Sequence, residues 1–452
     1  MNDDVLHRVW GRGRVIRERR FHTECEVEFE RGFTMWVRRT DLTFLSETQE
    51  QRPASTLSVK PRVRGTEPIS SRRIIEAVRL GIVPARYIEE FTYGREKELE
   101  EMDSWLKTQG GVLYFIGQYG AGKTHMLRVL RQKGLRSGYV VCTANIDALE
   151  ASFHKPKSVY SQVINSLRFQ ARNGKRSTGD IRSLLHMAAD NPQVKKKLHE
   201  YPSIRRVMAM IGPFDYRKRA YPPEAWYCLQ WFRGRTPSTL FRPGMYDDGT
   251  AANIYCNILN GLCTTSEMMG FKGLLLILDE AENIDASWLT DNQRLRSDNF
   301  CRGLHFLAFN DLRLMNEDIE IIRDLTPLGK STGLSYHRFC PEIRYAPSLP
   351  ANLKIAFAFT TMPSTESIGG QPTTVELGEL PRDIEEPMTE GVSSSYADAY
   401  QITVSEKVRS EIRARLMHLR SSHQASYRTA MKAVVELLDF VRFYPAERLP
   451  DR

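Results

Sequence analysis

Between an apolar run, Val112 to Ile116, and a periodic apolar segment that restarts at Met126, the chain reads Gly117-Gln118-Tyr119-Gly120-Ala121-Gly122-Lys123-Thr124. These eight residues fit G-x-x-x-x-G-K-[ST], and each letter has a mechanical reason. Gly117, Gly120 and Gly122 let the backbone wrap a phosphate without interference from a Cβ. Successive N–H groups and the start of the following helix then point at the anion. Lys123 is placed to reach the β- and γ-phosphates, and Thr124 to put its hydroxyl on Mg²⁺. An ordinary Gly-rich turn can carry the same letters, so the context decides: a strand before and a helix after. That context predicts an α/β fold on a parallel sheet, with ATP held by residues 117–124 and by His125.

A second element supports the first. Gly273 to Glu280, GLLLILDE, is a very apolar stretch that ends in two acids. Its lack of alternation predicts a strand buried on both faces of a parallel sheet. Carboxylates at the C-terminal end of such a strand lie on the rim where α/β ligands bind. Asp279 is expected to support Mg²⁺ from behind its direct ligands, and Glu280 to orient or deprotonate the attacking water. An Asp-Glu helix cap is the plain alternative.

Length and composition narrow the class. At 452 residues, 41% hydrophobic and 26% charged, the chain has room for two or three folded domains. No uninterrupted apolar run reaches the ~18 residues needed to span a bilayer, and MNDDVLHRVWGRGRV lacks the form of a secretion leader. The seven cysteines are scattered with no C-x-x-C pair, as expected for reduced thiols in the cytoplasm. A net charge of +9 is compatible with a nucleic-acid partner but does not identify one.

Taken in order, residues 1–48 alternate in a way that predicts a small β-barrel: Trp10 to Ile16, Cys25 to Phe29, a turn at Gly32, then Met35 to Val37 and Asp41-Leu42. The pattern resembles SH3-like or Tudor-like modules, which implies docking of protein or nucleic acid; a structural appendage is the alternative. Residues 49–70 are rich in Ser, Thr, Pro and basic side chains and are expected to be a linker. A helix is expected from Ser71 to Leu80, capped by Ser70 and ended by Gly81. Gly138 to Ala144 predicts a second buried strand. The long interval before Gly273 implies a helical insertion over about residues 168–245. From Arg168 to Arg219 it carries 13 Lys/Arg against four acids, with Lys195-Lys196-Lys197, Arg205-Arg206 and Arg217-Lys218-Arg219 as clusters. Trp226, Tyr227, Trp231 and Phe232 follow. Basic clusters beside aromatics suit phosphate contact with base stacking; a solvated helical face beside an aromatic core spells the same. Leu353 to Thr361 repeats the buried-strand pattern, Val375 to Leu380 is a weaker last strand, and Val404 to Leu419 and then Ser426 to Phe440 predict two or more amphipathic helices.

Several segments carry resemblances. Gly94-Arg95-Glu96-Lys97-Glu98-Leu99 resembles the box ahead of the phosphate loop in AAA+ ATPases of the initiator and STAND groups, where it packs near the nucleotide base. In AAA+ enzymes the strand beside the D-E strand ends in a polar sensor of the γ-phosphate or the water, which implies that role for Thr360 or Thr361. Arg428, opening a C-terminal helix, resembles the arginine that reports the nucleotide to a helical lid. Together RRIIEAVRLGIVP, YGREKEL, GQYGAGKTHMLR, HKPKSVYSQVINSLR, LLLILDEAENI and YRTAMKAVVELLD make residues 71–440 resemble the P-loop ATPases of bacterial BREX phage-defence loci, of the BrxD type. The resemblance implies an AAA+-like ATPase core (71–385, insertion included) and a helical lid (386–452). It further implies a link to DNA and to other defence proteins, and leaves a homo-oligomer open. Two departures qualify it. No arginine lies between the sensor strand and Val375, so any intersubunit finger must come from elsewhere, for instance Arg294, Arg296 or Arg302. No winged-helix domain fits after the lid, so DNA contact falls to the insertion, the linker or the barrel. The rival is a STAND-like nucleotide-gated scaffold with little turnover. A small-molecule kinase or a helicase finds less support, since no substrate motif and no second RecA-like lobe follows the D-E strand.

Overall fold

A computed structural model describes residues 4–7, 11–19, 24–29, 33–38, 41–44, 58–59, 67–82, 87–147, 151–170, 178–198, 201–214, 221–235, 245, 252–285, 288–311, 351–361, 370–378, 381, 383–421, 427–445, 447 and 449. The chain divides into two compact units, Met1–Val59 with Asp439–Arg452, and Lys60–Leu438. In the first, strands β1 (Asp4–His7), β2 (Gly11–Arg19), β3 (Glu24–Phe29), β4 (Phe33–Arg38) and β5 (Leu42–Phe44) form one antiparallel sheet in the order β4-β3-β2-β1-β5. The alternation expected in Cys25–Phe29 is observed: Cys25, Val27 and Phe29 point inward with Val5, Val15, Val37 and Leu42. A register shift between Val15 and Arg17 leaves Ile16 exposed. What stands among the described residues is an antiparallel sheet over a small core.

The second unit is built on five parallel strands: β6 (Gly111–Ile116), β7 (Val140–Asn145), β8 (Leu274–Asp279), β9 (Leu353–Phe359) and β10 (Thr373–Glu376). Their spatial order is β10-β6-β9-β8-β7. β6, β8 and β9 read as nearly continuous apolar runs because both faces are covered. On one face Leu113, Phe115, Val141, Leu275, Ile277, Ala356 and Ala358 meet helices α2 (Glu96–Lys107) and α3 (Lys123–Arg136). The side chains that alternate with them (Val112, Tyr114, Cys142, Leu276, Ile355, Phe357) face the opposite way, into one large core. That core takes in α4 (Pro156–Ser166), α5 (Ile181–Ala189), α6 (Pro192–Lys197), α7 (Pro202–Ile211), α8 (Pro223–Phe232), α9 (Ala252–Met268) and α10 (Asp291–Ala308). The helical insertion is thus packed onto the sheet. Trp231 and Phe232 are buried in it, whereas Trp226 and Tyr227 are exposed. Lys195, Lys196, Lys197, Arg205 and Arg206 are exposed too. The third cluster, Arg217-Lys218-Arg219, lies outside the described residues.

The expected helix at Ser71 starts earlier, with Glu67 and Pro68, as α1 (Glu67–Arg79); proline suits a first helical turn because its missing N–H has no partner there anyway. At the C-terminal end come α11 (Glu385–Tyr400), α12 (Glu406–Ser421) and α13 (Tyr427–Phe443). Helix α1 is tied to α11 by Arg72 Nε donating to Ala399 O at 3.0 Å and by Arg79 Nη2 donating to the Tyr400 hydroxyl at 3.2 Å. No helix among the described residues is long and apolar enough to cross a membrane.

Candidate functional site

The parallel registers bring the C-terminal ends of β6, β9 and β8 to one rim: Ile116 pairs with Phe359, and Leu278 with Phe357. The glycine loop leaves β6 there. Gly117 donates its N–H to Phe359 O at 3.2 Å, and a Cβ on Gly117 would crowd Ala121 and Leu377 at 3.0 Å. Gly120 and Gly122 have φ of 85° and 98°, which side-chain-bearing residues rarely adopt. A Cβ at either would meet nothing within 4 Å. Their constraint is conformational, and the loop encloses open space as an anion cradle requires.

Lys123 opens α3 and turns its Nζ back into the loop, 2.8 Å from Gly117 O, 3.4 Å from Gln118 O and 3.4 Å from Thr360 Oγ1. Thr360, just past β9, donates its hydroxyl to Glu282 Oε1 at 3.0 Å. A polar chain therefore crosses the rim from the loop lysine through the strand-end threonine to a carboxylate beyond β8. Of the two threonines expected here, Thr360 makes these contacts and Thr361 is exposed beside it. Asp279 ends β8 half-buried, and its Oδ1 accepts the Glu280 N–H at 3.0 Å. Glu280 itself is exposed and sits at φ 56°. A glutamate in the left-handed region is uncommon, and such outliers cluster at functional sites.

Behind the loop, Arg95 is almost wholly buried and pairs with Glu98 at 2.6 Å. Its Nη2 donates to Ala121 O at 3.1 Å and to Gly378 O at 2.8 Å, clamping the loop to the segment after β10. His125 turns its imidazole away from the loop: Nε2 lies 2.8 Å from Thr92 Oγ1, and the ring packs on Tyr427 with centroids 5.5 Å apart. Thr92 already donates to Ile88 O at 2.6 Å, so Nε2 is the donor. Burial, with Arg128 and Arg95 nearby, pulls the His125 pKa down to about 4; the ring is neutral. Tyr427 also accepts the Tyr93 N–H at 3.1 Å, donates to Phe91 O and stacks on Tyr93. Arg428, expected at the phosphates, is exposed on the next position of α13, with its aliphatic stem over Gly81.

The structure thus groups Gly117 to Lys123 with Thr360 at one end of the sheet, with Asp279 and Glu280 on the same rim, while the His125 and Arg428 side chains serve the neighbouring interface. Glu282 and Tyr427 were not assigned roles from sequence. Glu282 is one of two glutamates flanking Ala281, and only the contact with Thr360 distinguishes it.

Residues 67–186 match the family described as BREX system ATP-binding protein BrxC/D. That span runs from α1 through the phosphate loop into α5 and supports a place among BREX ATP-binding proteins. No curated protein matches the chain. The oxygen donors present are of the kind Mg²⁺ takes: the Thr124 hydroxyl directly after the loop lysine, and the half-buried Asp279 carboxylate on the same rim. Mg²⁺ commonly takes only one or two protein oxygens and fills its shell with water and phosphate.

Proposed function

We propose that the chain binds ATP with Mg²⁺ at this rim and hydrolyses it, in a BREX-type defence system. The observation that carries the reading is the open glycine cradle with Lys123 inside it, joined to Thr360 at the end of the neighbouring strand. Mg²⁺, with Thr124 as ligand and Asp279 behind it, would neutralise phosphate charge. Lys123 exchanges its carbonyl acceptors for phosphate oxygens, a stronger, charge-assisted contact. Thr360 offers its hydroxyl to the γ-phosphate or the water, and Glu280, fixed through Asp279, orients and deprotonates that water. Exposed Lys195–Lys197, Arg205, Arg206, Trp226 and Tyr227 favour contact with DNA through the insertion. We assign the C-terminal helices the part of a lid, the N-terminal sheet that of an SH3/Tudor-like docking module, and Arg294, Arg296 or Arg302 that of a finger should the chain assemble with itself.

The rival reading, a nucleotide-gated scaffold with little turnover, draws on Tyr427, which joins α13 both to the residue after Thr124 and to the segment around Tyr93. Steady-state phosphate release and binding of a fluorescent ATP analogue, each with and without DNA, separate the two. Lys123→Ala should lose nucleotide binding. Glu280→Gln should bind ATP but turn it over about 10²–10⁴-fold more slowly. Wild-type turnover in Glu280→Gln would remove Glu280 from the role given it, and negligible turnover in the wild type would favour the scaffold.

A further inference from the structure

The opposite edge of the sheet from β10 has a different character. Beyond β7, Arg168 bridges Val141 through two backbone hydrogen bonds of 2.8 Å, and the pair Phe169–Gln170 with Thr178–Gly179 follows as a hairpin. Arginines converge there from four parts of the chain: Arg131 on α3, Arg168 itself, Arg182 in the first turn of α5, and Arg233 with Arg235 after α8. Arg233 lies within electrostatic reach of Arg235, Arg182 and Arg168, and Arg131 within reach of Arg168. The one acid acting on Arg233 is Asp180. Asp180 is already engaged, accepting Arg182 Nε and Nη2 at 3.0 and 2.9 Å and the Ser183 N–H at 3.0 Å.

The remaining guanidiniums lack an acid among the described residues. Arg168 Nη1 is held by the carbonyls of Leu167 (2.6 Å) and Asn165 (3.4 Å). The Arg233 carbonyl is fixed by Ser161 Oγ at 2.9 Å and Asn165 Nδ2 at 3.4 Å, yet the buried Nε of Arg233 has no partner among the described residues. Burial and the neighbouring arginines lower the pKa of both Arg131 and Arg233. Five like-charged forks around one occupied carboxylate is an arrangement that repels itself unless an anion is brought to it.

We propose that this arginine cluster binds the phosphodiester backbone of nucleic acid. The proposal rests on the DNA-linked reading of the insertion and gives it a location. Four charges in excess, spread over separate segments, exceed what one small phosphate neutralises and suit a repeating anion. Arg131 also lies on the helix that Lys123 opens, so one rigid element meets the nucleotide at its first turn and nucleic acid two turns later.

The test uses the full chain without nucleotide, in fluorescence anisotropy titrations with labelled duplex DNA, single-stranded DNA and RNA, and a polyglutamate peptide, from ~50 to ~200 mM salt. Arg131→Gln/Arg235→Gln should bind the preferred nucleic acid about tenfold or more weakly, with a log–log salt slope shallower by about 1.8. Its melting temperature should equal or exceed that of the wild type, because like charges have been removed; a purely structural cluster would lower it and leave the slope alone. Unchanged affinity and slope in the variant, no binding by the wild type, or equal capture of polyglutamate would each overturn the proposal. Titration with a fluorescent ATP analogue on the same samples reads the glycine loop separately. A chain that binds nucleic acid but not ATP sinks the ATPase reading alone, and the converse sinks this one alone.

Discussion

Two lysines stand at opposite ends of the same sheet with nearly the same partners. Lys123 Nζ faces Gly117 O, Gln118 O and Thr360 Oγ1. Lys354, the second residue of β9, donates to Trp105 O at 2.7 Å, Gly110 O at 2.8 Å and Thr108 Oγ1 at 2.9 Å, with its ammonium 4.4 Å from the centre of the Trp105 ring. The second set is closed. Lys354 is fully buried, and its three N–H donors match three acceptors, one of them the Trp105 carbonyl in the last turn of α2. The first set is open, since the glycines beside Lys123 leave room for a better acceptor. Equal donor chemistry therefore supports structure at one end and ligand exchange at the other, and what separates them is space.

The contrast can be broken at either end. Lys354→Met should cost about 3 kcal/mol or more by denaturant melts, because the Trp105 and Gly110 carbonyls and the Thr108 hydroxyl each lose a charged donor, while ATP affinity of the folded fraction stays put. Lys123→Ala should weaken ATP about 100-fold or more, the worth of a charged hydrogen bond or two, with little change in melting temperature; a large destabilisation would mean that its site is structural after all. Thr360→Val removes a neutral hydroxyl between Lys123 and Glu282 and should lower turnover about tenfold at unchanged stability. The smallest effect is on pH dependence. Burial, with Lys272 adding repulsion, brings Lys354 down to about 7 from the ordinary 10.5. Between those values the unfolded chain holds a proton that the folded chain has released, so stability should rise with pH there, by about 1.4 kcal/mol per unit at most. Lys354→Met should lack that rise.

How far these features could be read in advance follows from the kind of partner each residue has. The strands of the core were legible because burial on both faces leaves long apolar runs, and the loop because its backbone conformation demands glycine at fixed positions. Lys354 was legible only as a charge inside LKIAFAFTT; its acceptors are mostly main-chain oxygens more than 240 residues away, which carry no sequence signal. Arg95 was visible within the G-R-E box, but its grip on Ala121 O and Gly378 O was not, for the same reason. In the insertion, spacing alone could not tell that Trp231 and Phe232 turn inward while Trp226 and Tyr227 face outward. At the N-terminus, alternation gave the strands, since period two follows from one buried face. Closure of those strands into a barrel depends on contacts between distant edges, which alternation does not encode.

Arg95 has a mechanical consequence. By holding the main chain of the phosphate loop and of the stretch leading to α11 with one guanidinium, it makes the two share a pivot. Any rotation of the C-terminal helices about that stretch must tug on Ala121, and any tightening of the loop must pull back. Such a crank needs no wire of side chains through the core.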